Sequence, residues 1–271
     1  MVVEVEIICI GNELLIGKIL DTNSHSIAQR VTALGANVKR ITVIQDIVPE
    51  ISATINEALS RKPHFIIITG GLVPTFDDKT FQGIALSLNQ QLIVKPEALE
   101  IVRTKINEYT TKHGLPIEVE LSPPMVKMAT FPENTQPVMN PIGTAPALKA
   151  DISGTILFAL PGVSMEMTAI FNQSVAPLIK QVVGTAVFCQ QSIYVANIFE
   201  SRLSPLVDKV MNENVGVYVK SHPFASDCKP RIELHLTLLA TPECNSQKRL
   251  LQAAKQLSKL IEENGGIIQG T

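Results

Sequence analysis

The feature that most constrains this chain is a repeated alternation. Short unbroken runs of branched apolar residues are each followed by a stretch with helical spacing. Residues 3–10 are Val and Ile apart from Glu4, Glu6 and Cys9, and residues 65–68 are Phe followed by three Ile, which suits strands covered on both faces rather than a sheet with one wet side. Between them, Ile27, Val31 and Leu34 recur at i, i+4, i+7, with Asp21 or Thr22 as a cap and Gly35 as a stop. Residues 38–44 give another strand. Pro49 opens a helix to Leu59 with Ile51, Ile55, Ala58 and Leu59 on one face. Further helices are expected over 78–88 and over 98–109, where Val102, Ile106 and Tyr109 share a face. Strands alternating with helices of this length predict right-handed crossovers and an α/β fold with a doubly wound, mainly parallel sheet.

Seven prolines between 114 and 146 (Pro116, Pro123, Pro124, Pro132, Pro137, Pro141 and Pro146) predict an excursion of short strands and loops. Residues 155–160 return as a strand, and Pro161-Gly162-Val163 begins a helix to about Phe171. After Pro177 and Gly184 the pattern changes. A strand over 192–198 is followed by a helix over 203–211 and strands over 216–219 and 231–239, the last alternating through Ile232, Leu234, Leu236 and Leu238. A helix over 246–263 completes a β-α-β-β-α order, so a second, small α+β domain is expected. The predicted boundaries are 1–178 and 184–271. The small domain resembles a KH-like module, but it lacks a GxxG loop with basic neighbours, so no nucleic-acid clamp is expected. His222 and His235 are read as incidental.

Lys and Arg total 23 against 25 Asp and Glu, a formal net charge of −2, so no long-range field draws a polyanion or an anionic membrane to the chain. No run approaches the ~20 apolar residues of a spanning helix. The amino terminus lacks the basic and apolar regions of a secretory signal, and a cytoplasmic location is expected. Cys9, Cys189, Cys228 and Cys244 are too scattered for a zinc site or a disulfide framework. Neither haem nor flavin is expected.

The strongest local signal is Thr69-Gly70-Gly71-Leu72-Val73-Pro74-Thr75-Phe76-Asp77-Asp78-Lys79-Thr80, set between a buried strand and a helix. Paired glycines at a strand's carboxyl end let backbone approach a ligand and present N–H groups, and the helix start after them favours negative charge. The position is also where open α/β sheets bind ligands. The segment equally fits a tight turn with Thr75 and Asp78 as a capping box. Asp46 ends the second strand, or it caps the helix near Pro49. Glu13 lies in a turn after the first strand or is simply solvated, and Thr80 braces the loop or sits on a helix surface. Asn140, Gly143 and Thr144 form a polar turn, and Gly162 with Glu166 opens a helix from a strand end.

These blocks, with Gly11-Asn12-Glu13-Leu14-Leu15, Gly17, Asp21-Thr22-Asn23-Ser24, residues 140–146 and Leu160-Pro161-Gly162-Val163 with Glu166-Met167, resemble the CinA family over roughly residues 3–175. Its amino-terminal domain has the molybdopterin-binding, MogA/MoaB-like fold. The resemblance implies an ADP-ribose pyrophosphatase that uses a divalent metal (Mg, Mn or Co). It also implies a homo-oligomer, and carboxylates converging at Asp46 and Asp78. Asp46 and Asp78 are accordingly the expected metal ligands and catalytic groups, with Asp77 beside them. Glu13, Thr69, Gly70, Gly71, Pro74, Thr75, Thr80, Asn140, Gly143, Thr144 and Gly162 are the expected substrate- and phosphate-binding set. Many relatives carry a nicotinamide-mononucleotide amidohydrolase domain, which is not expected here, and neither is deamidase activity. Val73 stands where the family pattern has glycine, and Asn12 where many relatives have Asp. Two other readings share the site: molybdopterin binding or adenylyl transfer, and a non-catalytic nucleotide-binding interaction protein.

Overall fold

The computed structural model describes residues 2–72, 78–114, 122–224, 231–240 and 245–270. Val73, Pro74, Thr75, Phe76, Asp77, Pro116, Cys228 and Cys244 lie outside the described residues. The chain divides into two compact units, Met1–Val183 and Gly184–Thr271.

The first unit starts with β1 (Glu4–Ile10), α1 (Asn12–Leu15), α2 (Thr22–Ala33), β2 (Asn37–Ile44), α3 (Val48–Ser60) and β3 (Phe65–Thr69). It continues through α4 (Thr80–Ser87), β4 (Leu92–Val94), α5 (Pro96–His113), α6 (Pro123–Met128), β5 (Thr130–Pro132) and β6 (Gln136–Val138). It closes with β7 (Ala147–Ile152), β8 (Thr155–Leu160), α7 (Ser164–Ile170), a π-helical turn (Phe171–Val175) and α8 (Ala176–Val183). The main sheet has the order β2-β1-β3-β8-β7-β6. Its first four strands are parallel, and β7 and β6 add an antiparallel edge. The expected α/β fold with a mainly parallel sheet is therefore the observed one.

Period-two alternation divides the sheet between two cores. Val5, Ile7, Cys9, Phe65 and Ile67 pack with Ile27 and Val31 of α2 and Met167 and Ile170 of α7. Ile8, Ile10, Ile66 and Ile68 turn to the opposite face and pack with Ile51 and Ile55 of α3, Ile84 of α4 and Ala98 of α5. Each such isoleucine, fully buried, contributes about 1.5–3 kcal/mol relative to exposure. That burial fixes the strands from both sides, so their carboxyl ends form a rigid platform.

One charged residue interrupts this core. Glu6 of β1 is buried, and both its oxygens accept from Arg61, the residue that ends α3: Nε to Oε1 at 2.7 Å and Nη2 to Oε2 at 2.7 Å. The hydrogen bond to Glu6 holds the Arg61 guanidinium above its usual range, with Glu57 assisting.

Several local expectations are corrected. The turn at Gly11-Asn12-Glu13 is the start of the four-residue helix α1. The helix expected over 78–88 runs Thr80–Ser87, with Lys79 at its cap position and no side-chain cap bond. Asp78 is therefore not its cap. Likewise α3 starts after Ile47 without a side-chain cap, so Asp46 does not cap it. Asp21 caps α2 through Ser24 N–H at 2.9 Å. Tyr109 leaves the buried face of α5, being 55% exposed, because its ring packs on His113 one turn later at 4.2 Å. In the proline-rich stretch a helix forms after all, since Pro123 and Pro124 occupy its first positions, where no N–H is needed. The helix expected to end near Phe171 continues through the π turn into α8, and Pro177 falls in the first turn of α8.

The second unit has β9 (Val187–Ala196), α9 (Glu200–Glu213), β10 (Val217–Phe224), β11 (Arg231–Ala240), α10 (Ser246–Glu263) and β12 (Ile267–Gly270). Its antiparallel sheet has the order β10-β11-β9-β12. The edge strand β12, which the sequence reading omits, pairs with β9. Ile232, Leu234, Leu236 and Leu238 face a core closed by Leu203 and Val210 of α9 and Leu250, Leu257 and Ile261 of α10. His235 is not wholly incidental, since its Nδ1 lies 3.2 Å from Ser192 Oγ on the neighbouring strand.

Candidate functional site

The carboxyl ends of β1, β2, β3 and β8 open into a cleft of roughly 360 Å³ within the first unit. It lies where the strand order departs from β1 in both directions, the position at which open α/β sheets bind ligands. Strand ends and loops are tied together around it. Gly11 N–H donates to Ile44 O at 3.1 Å, and Gly70 N–H donates to Leu160 O at 3.1 Å.

The double glycine is dictated by geometry. Gly70 has φ +108° and Gly71 φ +66°. A Cβ on Gly70 would be driven into the carbonyl oxygen of Ile10, and one on Gly71 into Thr80 Oγ1. Both positions therefore exclude side chains on conformational and on packing grounds. Thr80 is fully buried, and its Oγ1 donates to Gly70 O at 2.9 Å, so the helix that follows the loop holds the turn in place.

The carboxylates approach this turn. Asp46 Oδ1 accepts from Lys79 N–H at 3.2 Å, while Asp46 Oδ2 lies 3.3 Å from where a Gly71 Cβ would stand. Asp46 N–H donates to Asn12 Oδ1 at 3.4 Å. Asp78 also lines the cleft, as do Glu13 and Asp21. Among the described residues the lining thus contains four acidic side chains and no Lys or Arg. No group of three or more His, Cys, Asp or Glu side chains is close enough to enclose a metal ion among the described residues. Two carboxylates and open space fit a hard divalent cation that completes its shell with water and phosphate oxygens.

The opposite wall is built by Asn23 in the first turn of α2. Its Nδ2 donates to Thr69 Oγ1 at 3.1 Å and to Gly162 O at 2.8 Å, and its Oδ1 accepts from Ser164 Oγ at 2.7 Å. Thr69 Oγ1 in turn donates to Pro161 O at 3.1 Å. Asn23→Ala removes all three of its bonds. It should lower stability by about 1–3 kcal/mol, read as a lower denaturation midpoint; an unchanged midpoint would refute this bracing role. Cys9 is buried near the end of β1, beside Asp21 and Ser24. Burial pushes its thiol up from the ordinary value, and the Asp21 carboxylate adds to the effect, so it stays neutral and is no nucleophile.

Of the residues singled out in the sequence, Glu13, Asp46, Thr69, Gly70, Gly71, Asp78 and Gly162 line one cleft. Thr80 supports it from below. Asn140, Gly143 and Thr144 are not among its lining residues. Asn140 is buried, donates to Ala145 O at 3.0 Å and to Glu166 Oε2 at 2.7 Å, and its own Oδ1 accepts from Gly143 N–H at 2.8 Å. The turn expected to face a ligand instead locks Glu166 of α7 in place, and Thr144 Oγ1 points to Met128 Sδ. Pro74, Thr75 and Asp77 lie outside the described residues. Asp21, Asn23 and Ser164 were not singled out. The signal for the first two was the polar run ahead of α2, readable as a cap and first turn but not as a wall shared with two other loops.

Residues 6–181 match the model of the family described as "Probable molybdopterin binding domain". A protein of Aeropyrum pernix is 36% identical over 263 residues, covering 97% of this chain and 95% of that one. One of Pyrobaculum calidifontis is 37% identical over 257 residues, covering 94% and 95%. Among solved structures, the protein CinA of Thermoplasma acidophilum, of unknown function, is 32% identical with a TM-score of 0.57, covering 68% of this chain and 99% of that chain.

Proposed function

The chain belongs to the molybdopterin-binding-domain family and is CinA-like in its first unit, and from that premise we propose that it hydrolyses the phosphoanhydride of an ADP-ribose-like nucleotide with a divalent metal. Family membership supports a nucleotide- or pterin-related role. The observation that carries the finer reading is the sign of the cleft. Four carboxylates without a Lys or Arg among the described lining repel a pyrophosphate unless a cation stands between them.

Asp46 and Asp78 would hold that cation, and the bound metal would neutralise charge on the phosphate oxygens. The chain's own residues supply the rest. The side-chain-free turn at Gly70 and Gly71 lets phosphate oxygens approach the backbone. Asp46, fixed by the Lys79 and Asn12 contacts, keeps its carboxylate aimed at that turn. Glu13, at the rim, would accept the proton of an attacking water, while Asp21 is held by the Ser24 N–H at the start of α2.

The test is to incubate the protein with ADP-ribose and Mg²⁺, Mn²⁺ or Co²⁺ and to follow AMP and ribose 5-phosphate. Both products are expected, and EDTA should abolish them. Absence of product with every metal, for a folded sample, would sink the hydrolase. A second reading, pterin binding at the same cleft, is favoured by the family match; tight binding of molybdopterin with no turnover of ADP-ribose would select it. Self-association, which the CinA resemblance implies, is part of the proposal and is read by sedimentation.

A further inference from the structure

A second cavity, of about 280 Å³, lies next to the cleft and shares Gly71 and Asp78 with it. Its character differs. Leu72, Phe81, Val126 and Met128 make most of its wall, with Gln82, Lys127 and Thr130 as polar points beside the shared Asp78. Phe81 belongs to α4 and packs against the fully buried Phe131 of β5, ring centroids 4.5 Å apart at 45°, so it is a fixed wall rather than a swinging side chain. Val126 and Met128 come from α6, the helix that the proline pair starts. Thr130 Oγ1 already donates to Val126 O at 2.7 Å, which leaves its lone pairs to accept. Gln82 is exposed and carries both donor and acceptor.

The larger cleft has no aromatic residue among its described lining. A substrate with charged phosphates and a flat ring would therefore find its two chemistries matched in two compartments that meet at Gly71 and Asp78. We infer that the cavity beside Phe81 is the subsite for the planar nitrogen heterocycle of the substrate, the adenine of a nucleotide or the pterin of a pterin phosphate. The phosphates would then extend past Gly71 and Asp78 into the acidic cleft. Apolar walls with a few convergent polar groups are the common composition of sites for such ligands, and ring stacking on an aromatic side chain is tolerant of which heterocycle is bound. The inference rests on the proposed function for its substrate class, but it makes a separate claim about which residues hold the ring.

Binding by calorimetry tests it without turnover, using the full chain with Mg²⁺ and three probes: AMP, neopterin and ribose 5-phosphate. Val126→Trp fills the cavity, and Gln82→Ala removes the exposed polar point without touching the core. Val126→Trp should weaken the heterocycle that binds by about tenfold or more, the scale of one lost ring contact. Gln82→Ala should weaken it by less, and ribose 5-phosphate should bind both variants as it binds the unaltered protein. If AMP alone is affected the ring is adenine; if neopterin alone, a pterin; mutual competition with both affected means that the pocket accepts either. The inference is overturned if the bound heterocycle is indifferent to both variants, if ribose 5-phosphate weakens in parallel, or if neither heterocycle binds the unaltered protein. Failure of ADP-ribose hydrolysis with an intact heterocycle effect would remove the reaction and leave this subsite.

Discussion

Asp46→Asn should lower turnover of ADP-ribose by about 100- to 1,000-fold, the scale of losing one preorganised charge-stabilising group, while leaving the denaturation midpoint nearly unchanged. The substitution is close to isosteric. An asparagine oxygen can still accept from Lys79 N–H, and the backbone bond to Asn12 Oδ1 does not involve the side chain, so the loop should keep its place. What disappears is one negative charge beside Gly71. A merely structural Asp46 would tolerate this exchange, because asparagine meets the same backbone donor. The readout is kcat with saturating Mn²⁺ set beside a thermal melt of the same sample. A loss smaller than about fivefold would remove Asp46 from the proposed metal site. Asp78→Asn should behave alike, since Asp78 shares the cleft.

Arg61→Ala should cost about 3–5 kcal/mol of stability, the usual penalty for leaving one member of a buried ion pair without its partner. Glu6 has only 5% of its side chain exposed, and Arg61 supplies bonds to both of its oxygens. Without the guanidinium the carboxylate must ionise in an apolar core, take up a proton or pull water into the sheet. Urea unfolding of the intact chain measures this as a lower midpoint for the transition of the first unit. A companion variant separates the pair's net value from the cost of breaking it: Glu6→Met with Arg61→Met should recover most of the loss, since apolar replacement of both partners is commonly near neutral. A cost under 1 kcal/mol for Arg61→Ala would show that Glu6 finds other support.

The parallel sheet was legible because its signal is local. Val5 to Ile10 and Phe65 to Ile68 are apolar except for Glu6, and only a strand covered on both faces buries such a run. Gly70 and Gly71 were legible as a place where backbone must come close to something. Less local features were misread. Gly11-Asn12-Glu13 reads as a turn and is the start of the helix α1. Pro123 and Pro124 look like breakers and are the first turn of α6, because proline is disfavoured inside a helix and welcome at its start. Asn140, Gly143 and Thr144 carry the polarity of a ligand loop, yet Asn140 donates to Ala145 O and Glu166 Oε2 and accepts from Gly143 N–H, and Thr144 Oγ1 points to Met128 Sδ.

By itself, then, the sequence determined the layering of the first unit, the glycine turn and the acidic strand ends, since these follow from residue type and short-range spacing. Only the tertiary structure decided which polar residues meet. Asn23 braces Thr69 and Gly162, which lie 46 and 139 residues away along the chain, and Thr80 donates to Gly70 O while filling the space that a side chain on Gly71 would need. The same holds for the cavity beside Phe81, whose walls come from α4, α6 and two short strands. Such juxtapositions depend on how helices close over a twisted sheet, and the spacing of residues along the chain carries no record of them.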